Sequence, residues 1–497
     1  MRNPRKMAII GAGVAGLSAG IYAQTHGFQT AIYEKNGVAG GNLLGWTADG
    51  AAAEGSLRLL TGTREDSALH RCWCEVGALG GVLTVHPESF FAAMEGGKTI
   101  ALWQDLDRFR SACAELAPAD TQTVEKLCGW VEQMKGFSFR TQKPADLCSP
   151  FEARRASGRN GERGRLLTRL DAVPLAAWAE SVQEPALRRA LVEAVPQGAT
   201  LGELVLQYAL FCNGDSAFPM GGSRPLIDRM VKRYLEVGGE LQLSMPVEEI
   251  IVANGAARGI VLQQGGRLMT DWVVAACDPV YVSRTLLKNT YNVERRLQAR
   301  WDAPEQYPPV MLARLLFWAD SDALPLFYTV SFPTPVVPAA GGGVDRLCLT
   351  QYGDDPTFVR GDRTLIAVDV PAQGRTSFRY WEALGLQGTP YIREKKRLTE
   401  AVQEALISCF PGLRGRMEPI ACHTPLTYAD RVNSSYGACS FVHAAGAKAT
   451  SLTGRLPSVS HLLLASQWCG NTGGAHIAML QGKFAAQRAC ADERLVW

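Results

Sequence analysis

The chain has 497 residues, of which 47% are hydrophobic and 20% are charged, and its net charge is +3. This length allows more than one domain with a full core, and the composition is that of a globular protein rather than a disordered one. The nearly balanced charge does not favour nucleic acid as a partner, and the 13 cysteines lack the spacing of a zinc site or a disulfide framework. We therefore expect reduced thiols, no metal and no nucleic-acid partner.

The first predicted element is a short apolar strand, residues 7–10, which leads directly into a glycine-rich turn and a helix. One glycine permits the tight turn, the second leaves the backbone open to a pyrophosphate, and the third lets helix and strand pack closely. The free N–H groups and the dipole of the helix N-terminus favour a bound anion. The pattern therefore predicts phosphate contacts from Gly11, Gly13, Val14, Ala15 and Gly16.

A second apolar strand, residues 30–33, ends on Glu34. A carboxylate about 20 residues beyond such a turn can accept hydrogen bonds from both hydroxyls of an adenosine ribose. A further glycine pair, Gly40 and Gly41, follows closely, which an NAD site does not need but which an FAD site uses near its phosphates. The sequence therefore predicts a dinucleotide site, and FAD as the dinucleotide.

This opening resembles that of the phytoene desaturase, carotenoid isomerase and amine oxidase superfamily of flavoproteins. The resemblance implies further FAD contacts from Lys35, Gly40, Gly41 and Asn42. The family usually has arginine directly after the glycine pair, where this chain has Asn42.

The N-terminus also carries the basic residues Arg2, Arg5 and Lys6 before an apolar segment, as a secretory signal would. The glycines interrupt that segment, so we predict a retained N-terminus and a cytoplasmic protein. No apolar run is long enough to span a bilayer. Peripheral contact with the inner face of a membrane stays open.

Residues 49–79 follow a pattern similar to that of the carotenoid isomerase-like branch, including the sequence Leu-Thr-Gly-Thr at 60–63 and a helix at 67–79. A histidine is common in that branch where this chain has Arg58. Two interpretations stay open for Arg58: a catalytic position near the flavin, or a surface or phosphate-facing arginine.

The next segments predict a helical cap over the substrate. Residues 99–133 have apolar residues at helical spacing, and an amphipathic segment occupies 173–195. Between them, residues 151–169 contain six arginines interrupted by glycines. We interpret this stretch as a solvated loop, with a basic rim resting on anionic lipid as the alternative.

The chain then returns to the cofactor domain. A helix at 223–235 and short strands up to residue 276 match the second FAD segment of the superfamily, which implies a main-chain contact between Val247 and the adenine. Apolar runs between residues 310 and 371 predict antiparallel strands of a second sheet, and 391–410 predicts an amphipathic helix.

The last segment has a strand at 461–468, a glycine turn and a helix through residue 489. In the superfamily this turn meets the isoalloxazine, whose pyrimidine edge becomes negative on reduction, and a helix N-terminus suits that charge. The resemblance implies FAD contacts from Gln467, Gly473, Gly474, His476 and Ile477. Ser466, Asn471, Thr472 and His476 replace the family's usual Gly, Pro, Gly and Pro.

These observations predict an α/β protein with a Rossmann-like FAD-binding domain built from discontinuous segments and an α+β substrate domain. The predicted FAD-binding domain comprises residues 1–70, 215–290 and 420–497, and the substrate domain with its helical cap comprises 71–214 and 291–419.

The resemblance implies an FAD-dependent oxidoreductase that desaturates, saturates or isomerises C–C bonds of an apolar polyene or isoprenoid. His476 and Arg58 are the catalytic candidates, and the electron acceptor is external and unidentified. One alternative is an amine-oxidase-like flavoprotein acting on a small polar molecule. Another is a non-catalytic lipid-chain binding protein, as GDP dissociation inhibitors are on this fold.

Overall fold

A computed structural model describes residues 4–340, 342–372, 374–447 and 451–497. Arg2 and the side chains of Arg155 and Arg159 in the basic stretch lie outside the described residues.

The strands are β1 (Arg5–Ile10), β2 (Phe28–Tyr33), β3 (Gly45–Ala48), β4 (Ala51–Glu54), β5 (Leu60–Thr61), β6 (Thr84–Val85), β7 (Ser89–Glu95), β8 (Lys98–Trp103), β9 (Ser216–Pro219), β10 (Glu240–Gln242), β11 (Val247–Ala253), β12 (Ala256–Leu262), β13 (Arg267–Met269), β14 (Trp272–Ala275), β15 (Pro309–Val310), β16 (Leu312–Asp320), β17 (Thr329–Ala339), β18 (Gly342–Gln351), β19 (Val359–Arg360), β20 (Arg363–Pro371), β21 (Met417–His423), β22 (Ser440–Phe441), β23 (Arg455–Leu456) and β24 (Val459–Leu464).

The α-helices are α1 (Val14–Thr25), α2 (Ala68–Glu75), α3 (Leu106–Leu116), α4 (Thr121–Met134), α5 (Pro150–Asp171), α6 (Leu175–Ala179), α7 (Pro185–Glu193), α8 (Leu201–Cys212), α9 (Ser223–Glu236), α10 (Pro279–Tyr281), α11 (Arg295–Asp302), α12 (Gly374–Leu384), α13 (Thr389–Cys409), α14 (Pro425–Val432) and α15 (Ala475–Glu493).

The first sheet has the order β10-β2-β1-β14-β24-β12-β11, and its first five strands are parallel. β1 pairs with β2 on one side and with β14 on the other, and β24 from the end of the chain lies between β14 and β12. Strands from three distant segments therefore form one sheet. The predicted α/β fold, with a Rossmann-like domain built from discontinuous segments, is confirmed.

Helices α1 and α15 pack tightly against each other. A methyl group on Gly482 of α15 would overlap the carbonyl oxygen of Ala15 in α1. Ser18 donates a hydrogen bond from Oγ to the carbonyl oxygen of Met479 at 2.7 Å. This contact fixes the helix that begins at the first glycine turn relative to the helix that begins at the last one.

The second sheet has the order β21-β16-β20-β18-β17-β7-β8, and its pairs are antiparallel except for β17 and β7. One core lies between this sheet and helices α12 and α13, and a separate core joins α3–α8 with β7 and β8. The predicted domain ranges stay a prediction, and the proposed boundary at residue 420 falls inside β21, which belongs to the second sheet.

Two local predictions were wrong. Residues 99–103 are not helical but form most of β8, because the turn at Gly96 and Gly97 folds this apolar run back onto β7. The stretch 151–169 is not a loop but lies in α5, whose start is stabilised by a capping box between Ser149 and Glu152. The helix is interrupted at Gly161, where φ is 29° and ψ is −102°.

Among the described residues, no helix combines the length and the apolar character needed to cross a bilayer.

Candidate functional site

The first glycine turn connects β1 to α1 and has the backbone shape that the sequence predicted. Gly11 has φ of +100°, which other residues rarely adopt, and donates its N–H to the carbonyl oxygen of Tyr33 at 2.8 Å. A methyl group on Gly16 would overlap the carbonyl oxygen of Gly11. Glycine at these two positions therefore lets α1 begin directly at the end of β1, with Val14 and Ala15 in its first turn.

The second glycine turn lies directly against the first. Gly40 donates its N–H to the carbonyl oxygen of Ala12 at 3.0 Å. A methyl group on Gly41 would lie 3.1 Å from Cα of Gly13. Gly13 is the N-cap of α1 and has no side chain with which to cap the helix. The two turns thus form a cradle of bare backbone at a helix N-terminus, which fits a pyrophosphate.

Glu34 follows β2 and lies beside this cradle. Its side chain is buried, and Oε2 accepts the N–H of Ala12 at 2.8 Å. Its Oε1 accepts the N–H of Asn36 at 2.9 Å and the Nδ2 group of Asn36 at 2.6 Å. An ionised carboxylate has about four acceptor positions. At least one is still open, so Glu34 can hold its own loop and a ribose hydroxyl at once.

Val247 and Lys35, two further predicted FAD contacts, both lie close to Glu34, but their side chains point to different parts of the structure. Met245 donates its N–H to the carbonyl oxygen of Glu34 at 2.8 Å, and Val247 packs in the same apolar cluster as Met245 and Tyr33. Lys35 instead turns toward the end of α14, where Nζ donates to Oδ1 of Asn433 at 2.7 Å. Burial lowers the pKa of Lys35. Val247 is therefore near the predicted ribose site, and the ammonium of Lys35 is tied to another segment.

The amide of Asn42 points toward the terminal segment. Its Nδ2 group donates to the carbonyl oxygen of Cys439 at 3.3 Å, and its Oδ1 is buried with no hydrogen-bond partner among the described residues. Gln467 donates its Nε2 group to the same carbonyl at 2.8 Å. The carbonyl of Cys439 therefore joins the loop after the second glycine turn to the segment that precedes the last one.

The last glycine turn is held by side chains from elsewhere. Oε1 of Gln467 accepts the N–H of Gly474 at 2.8 Å. A methyl group on Gly473 would overlap Oγ of Ser440 in β22. Ile477 packs so closely on Gly470 that a methyl group there would overlap its side chain. Gln467 thus takes the amide of Gly474, and the N–H groups of Ala475, His476 and Ile477 form the first turn of α15.

His476 stands in that first turn with its ring against Phe139, at 5.0 Å between ring centroids in an edge-to-face arrangement. Burial lowers its pKa to about 4. The imidazole is therefore neutral at neutral pH and adds no positive charge to the field of the helix N-terminus.

Arg58 lies between the cap and the second sheet rather than on the surface. Its guanidinium is 5.5 Å from the ring centroid of Phe90 and donates from Nη2 to the carbonyl oxygen of Ala194 at 3.3 Å. The carbonyl oxygen of Arg58 accepts the hydroxyl of Tyr328 at 2.8 Å. The partners of Arg58 are therefore aromatic rings and backbone carbonyls of the cap and the second sheet. Among the described residues, none of them forms a hydrogen bond or ring contact with His476, whose ring lies against Phe139. The catalytic assignments of both residues stay predictions.

A partly buried ionisable cluster, formed by His443, Asp171 and Glu203, connects the cap to the terminal segment and was not predicted from the sequence. Nε2 of His443 lies 3.7 Å from Oδ2 of Asp171, and Oδ1 of Asp171 accepts the hydroxyl of Thr200 at 2.9 Å. Burial acts to lower the pKa of His443, but Asp171 and Glu203 outweigh it, so the pKa is raised. His443 lies more than 200 residues beyond Asp171 and Glu203 in the chain, so no local sequence pattern contains all three residues.

A family model described as an FAD binding domain matches residues 6–277. The chain belongs to this FAD binding domain family. The match contains the first two glycine turns, Glu34 and β14, so FAD is the cofactor that this family member binds.

Curated relatives of this FAD-binding protein are phytoene desaturases. The lycopene-forming enzyme of a Paracoccus species is 25% identical over 308 residues, which cover 59% of each chain. The lycopene-forming enzyme of Pseudescherichia vulneris is 25% identical over 57% of this chain and 58% of its own. The chain thus matches less than two thirds of these relatives' length. The neurosporene-forming enzyme of Cereibacter sphaeroides is 23% identical over 86% of this chain and 83% of its own.

Solved structures show the same fold as this FAD-binding protein. An oxidoreductase from Methanosarcina mazei superposes with a TM-score of 0.57 at 16% identity, covering 97% of this chain and all of its own. Cyclohexylamine oxidase from Brevibacterium oxydans gives 0.59 at 16% identity, covering 99% of this chain and all of its own. The resemblance to phytoene desaturases and to the fold of flavin amine oxidases, predicted from the sequence, is confirmed.

Proposed function

We propose that the protein is an FAD-dependent oxidoreductase that desaturates, saturates or isomerises C–C bonds of an apolar polyene or isoprenoid. The observation that carries this proposal is the convergence of the first and last cofactor segments, joined at the carbonyl of Cys439 by hydrogen bonds from Asn42 and Gln467. The relatives named phytoene desaturase support the substrate class. Bound FAD would accept two electrons from the substrate, and the protein would position the substrate and the flavin and set the electrostatic field around them.

The residues of this chain divide that work. Glu34 and the two glycine turns would hold the adenosine and pyrophosphate half, and the first turn of α15 would direct N–H groups at the flavin. His476 is neutral at neutral pH, and its pKa of about 4 makes the imidazole a weak base, so it would present an uncharged ring to the substrate. Arg58 would bound the substrate space on the side of the second sheet. We propose His476 and Arg58 as the residues nearest the reacting bond.

The substrate class is tested with purified protein that contains FAD. Under anaerobic conditions, the flavin should be bleached by a polyene such as phytoene when the reaction runs toward desaturation, and phytoene should be consumed. Bleaching by an amine such as putrescine and not by polyenes would favour the amine-oxidase alternative. A folded protein that retains a prenyl chain but no FAD would favour the lipid-chain binding alternative.

We also propose peripheral contact with anionic lipid, because a polyene substrate resides in membranes. Phe151, with 75% of its surface exposed, and the exposed Arg154 lie on the first turns of α5, and the exposed Arg165 and Arg169 lie beyond the interruption at Gly161. Flotation with vesicles that contain anionic lipid should carry the protein upward, less so at high salt. No association with vesicles in either salt condition would contradict the proposal.

A further inference from the structure

The cofactor's pyrophosphate carries negative charge, but the cradle that faces it is made of uncharged groups. Gly40, Gly41 and Asn42 carry no charge, and the amide of Asn42 is turned toward the carbonyl of Cys439. Lys35 is the nearest cationic residue in the sequence, but its ammonium donates hydrogen bonds to the end of α14. The backbone N–H groups and the helix dipole favour an anion, but they supply only partial charge.

A cation from a distant segment reaches this loop. Arg431, in the last turn of α14, donates from Nε to the carbonyl oxygen of Gly41 at 3.2 Å. Its main chain is fixed to the same loop, because Nδ2 of Asn36 donates to the carbonyl oxygen of Arg431 at 3.0 Å. The guanidinium is therefore held at Gly41, the glycine that lies against Gly13.

The surroundings of Arg431 leave its charge without a carboxylate bonded to it among the described residues. Burial lowers its pKa, nearby Glu34 acts in the opposite direction, and Arg224 adds to the lowering. Arg224 has its own partner, Asp228, at 2.8 Å, whereas Arg431 lines a cavity of about 570 Å³ beside the loop, together with Asp430. A half-buried guanidinium of this kind gains from an added anion, because desolvated charges interact strongly.

We propose that Arg431 supplies the positive charge for the pyrophosphate of FAD, in place of a cation at position 42. The loop that contacts the phosphates and the residue that neutralises them then come from opposite ends of the chain, nearly 400 residues apart. This inference concerns the cofactor alone and does not depend on the substrate proposed above.

The test measures the FAD dissociation constant of apoprotein by fluorescence quenching. R431Q should weaken binding about tenfold to 100-fold at low salt, with a smaller difference at high salt, because a charged contact is lost. R431K keeps the charge but not the geometry of the guanidinium, so it should lose clearly less affinity than R431Q, by less than about tenfold. An equal loss in R431K and R431Q would mean that only the hydrogen bond to Gly41 matters, and would overturn the proposal.

The double variant N42R/R431Q places a guanidinium in the loop itself and should recover most of the lost affinity. R224Q is the matched control, since Arg224 lines the same cavity but is paired with Asp228. It should leave FAD affinity unchanged. Failure of N42R to rescue, or an effect of R224Q as large as that of R431Q, would overturn the assignment. The melting temperature of each apoprotein separates weakened binding from lost fold.

Discussion

The turns that open α1 and α15 are both rich in glycine, but different groups hold them in place. At the first turn, Gly11, Gly16 and Gly40 meet backbone atoms of residues nearby in the sheet and its loops. At the last turn, Gln467 and Ser440 hold the glycines from the side, and Phe139 from the cap contacts His476. Most contacts of the first turn therefore come from residues 11–43, although Gly11 also lies against Ala276, whereas the last turn is held by segments that are distant in the sequence.

The largest expected effect is at the first turn. Gly16→Ala would place a methyl group against the carbonyl oxygen of Gly11, and neither backbone can move away without separating α1 from β1. We expect the free energy of unfolding, measured with urea, to fall by about 3 kcal/mol or more.

Gly129→Ala is the matched control for this substitution. Gly129 is exposed in α4, and nothing lies within 4 Å of the added methyl group. Alanine should raise the free energy of unfolding by about 0.5–1 kcal/mol. A loss in Gly16→Ala no larger than about 1 kcal/mol would show that the first turn adjusts and is not rigid.

The second prediction concerns cofactor binding at the same turn. Glu34→Gln keeps the shape of the side chain but removes its charge, so the bonds from Ala12 and Asn36 and the ribose contact are weakened together. We expect FAD to bind about 2 kcal/mol more weakly, or roughly 30-fold in Kd. Unchanged FAD affinity, measured by the same titration, would mean that the ribose does not contact Glu34.

The third prediction concerns the segment that carries the last turn. The pKa of His443 is raised in the folded protein by Asp171 and Glu203, with Arg300 acting against them. The charged imidazole therefore stabilises the fold at pH values below about 6.5, the unfolded value, and the contribution is lost as pH rises through the folded pKa.

We expect His443→Gln to lower the free energy of unfolding by up to about 1 kcal/mol at pH 6. The difference between parent and variant should shrink above the folded pKa of His443. A difference that grows with pH would show that the imidazole is buried in its neutral form.

The smallest expected effect is at His476. Its pKa is lowered to about 4, so the ring should be neutral throughout the range from pH 6 to 8. His476→Ala should shift the flavin midpoint potential by the same amount at both ends of that range, within about 10 mV, or roughly 0.5 kcal/mol for two electrons. A shift that increases toward pH 6 would mean that the ring becomes charged when FAD is bound.

The comparison of the two turns also explains what the sequence could and could not predict. The order of strand, turn, helix and strand at the N-terminus is local and predicted a dinucleotide site, and the glycine pair that follows Glu34 predicted FAD. The strand β8 was misassigned because its apolar spacing fits a helix as well, and only the pairing with β7 decides. α5 was misassigned because its glycines weighed more than the capping box at Ser149.

The predicted site residues can be divided in the same way, into those placed by nearby sequence and those placed by contacts between distant segments. Gly13, Gly40 and Glu34 lie together at the first turn, and their contacts with FAD stay predictions. The hydrogen bonds from Gln467 to Cys439 and from Arg431 to Gly41 join residues whose separation in the sequence fits no helix, strand or turn pattern. No periodicity or motif in a single sequence contains such pairs, so they become visible only in the folded chain.

The position of β24 has a consequence for how the protein is made. A ribosome delivers β1, α1 and β2 first, but β24 must enter between β14 and β12 and is synthesised well after both of them. Until then β14 presents an open edge of unpaired N–H and C=O groups, which can pair with other chains. The sheet, and the last glycine turn that follows β24, can therefore be completed only after β24 has been synthesised.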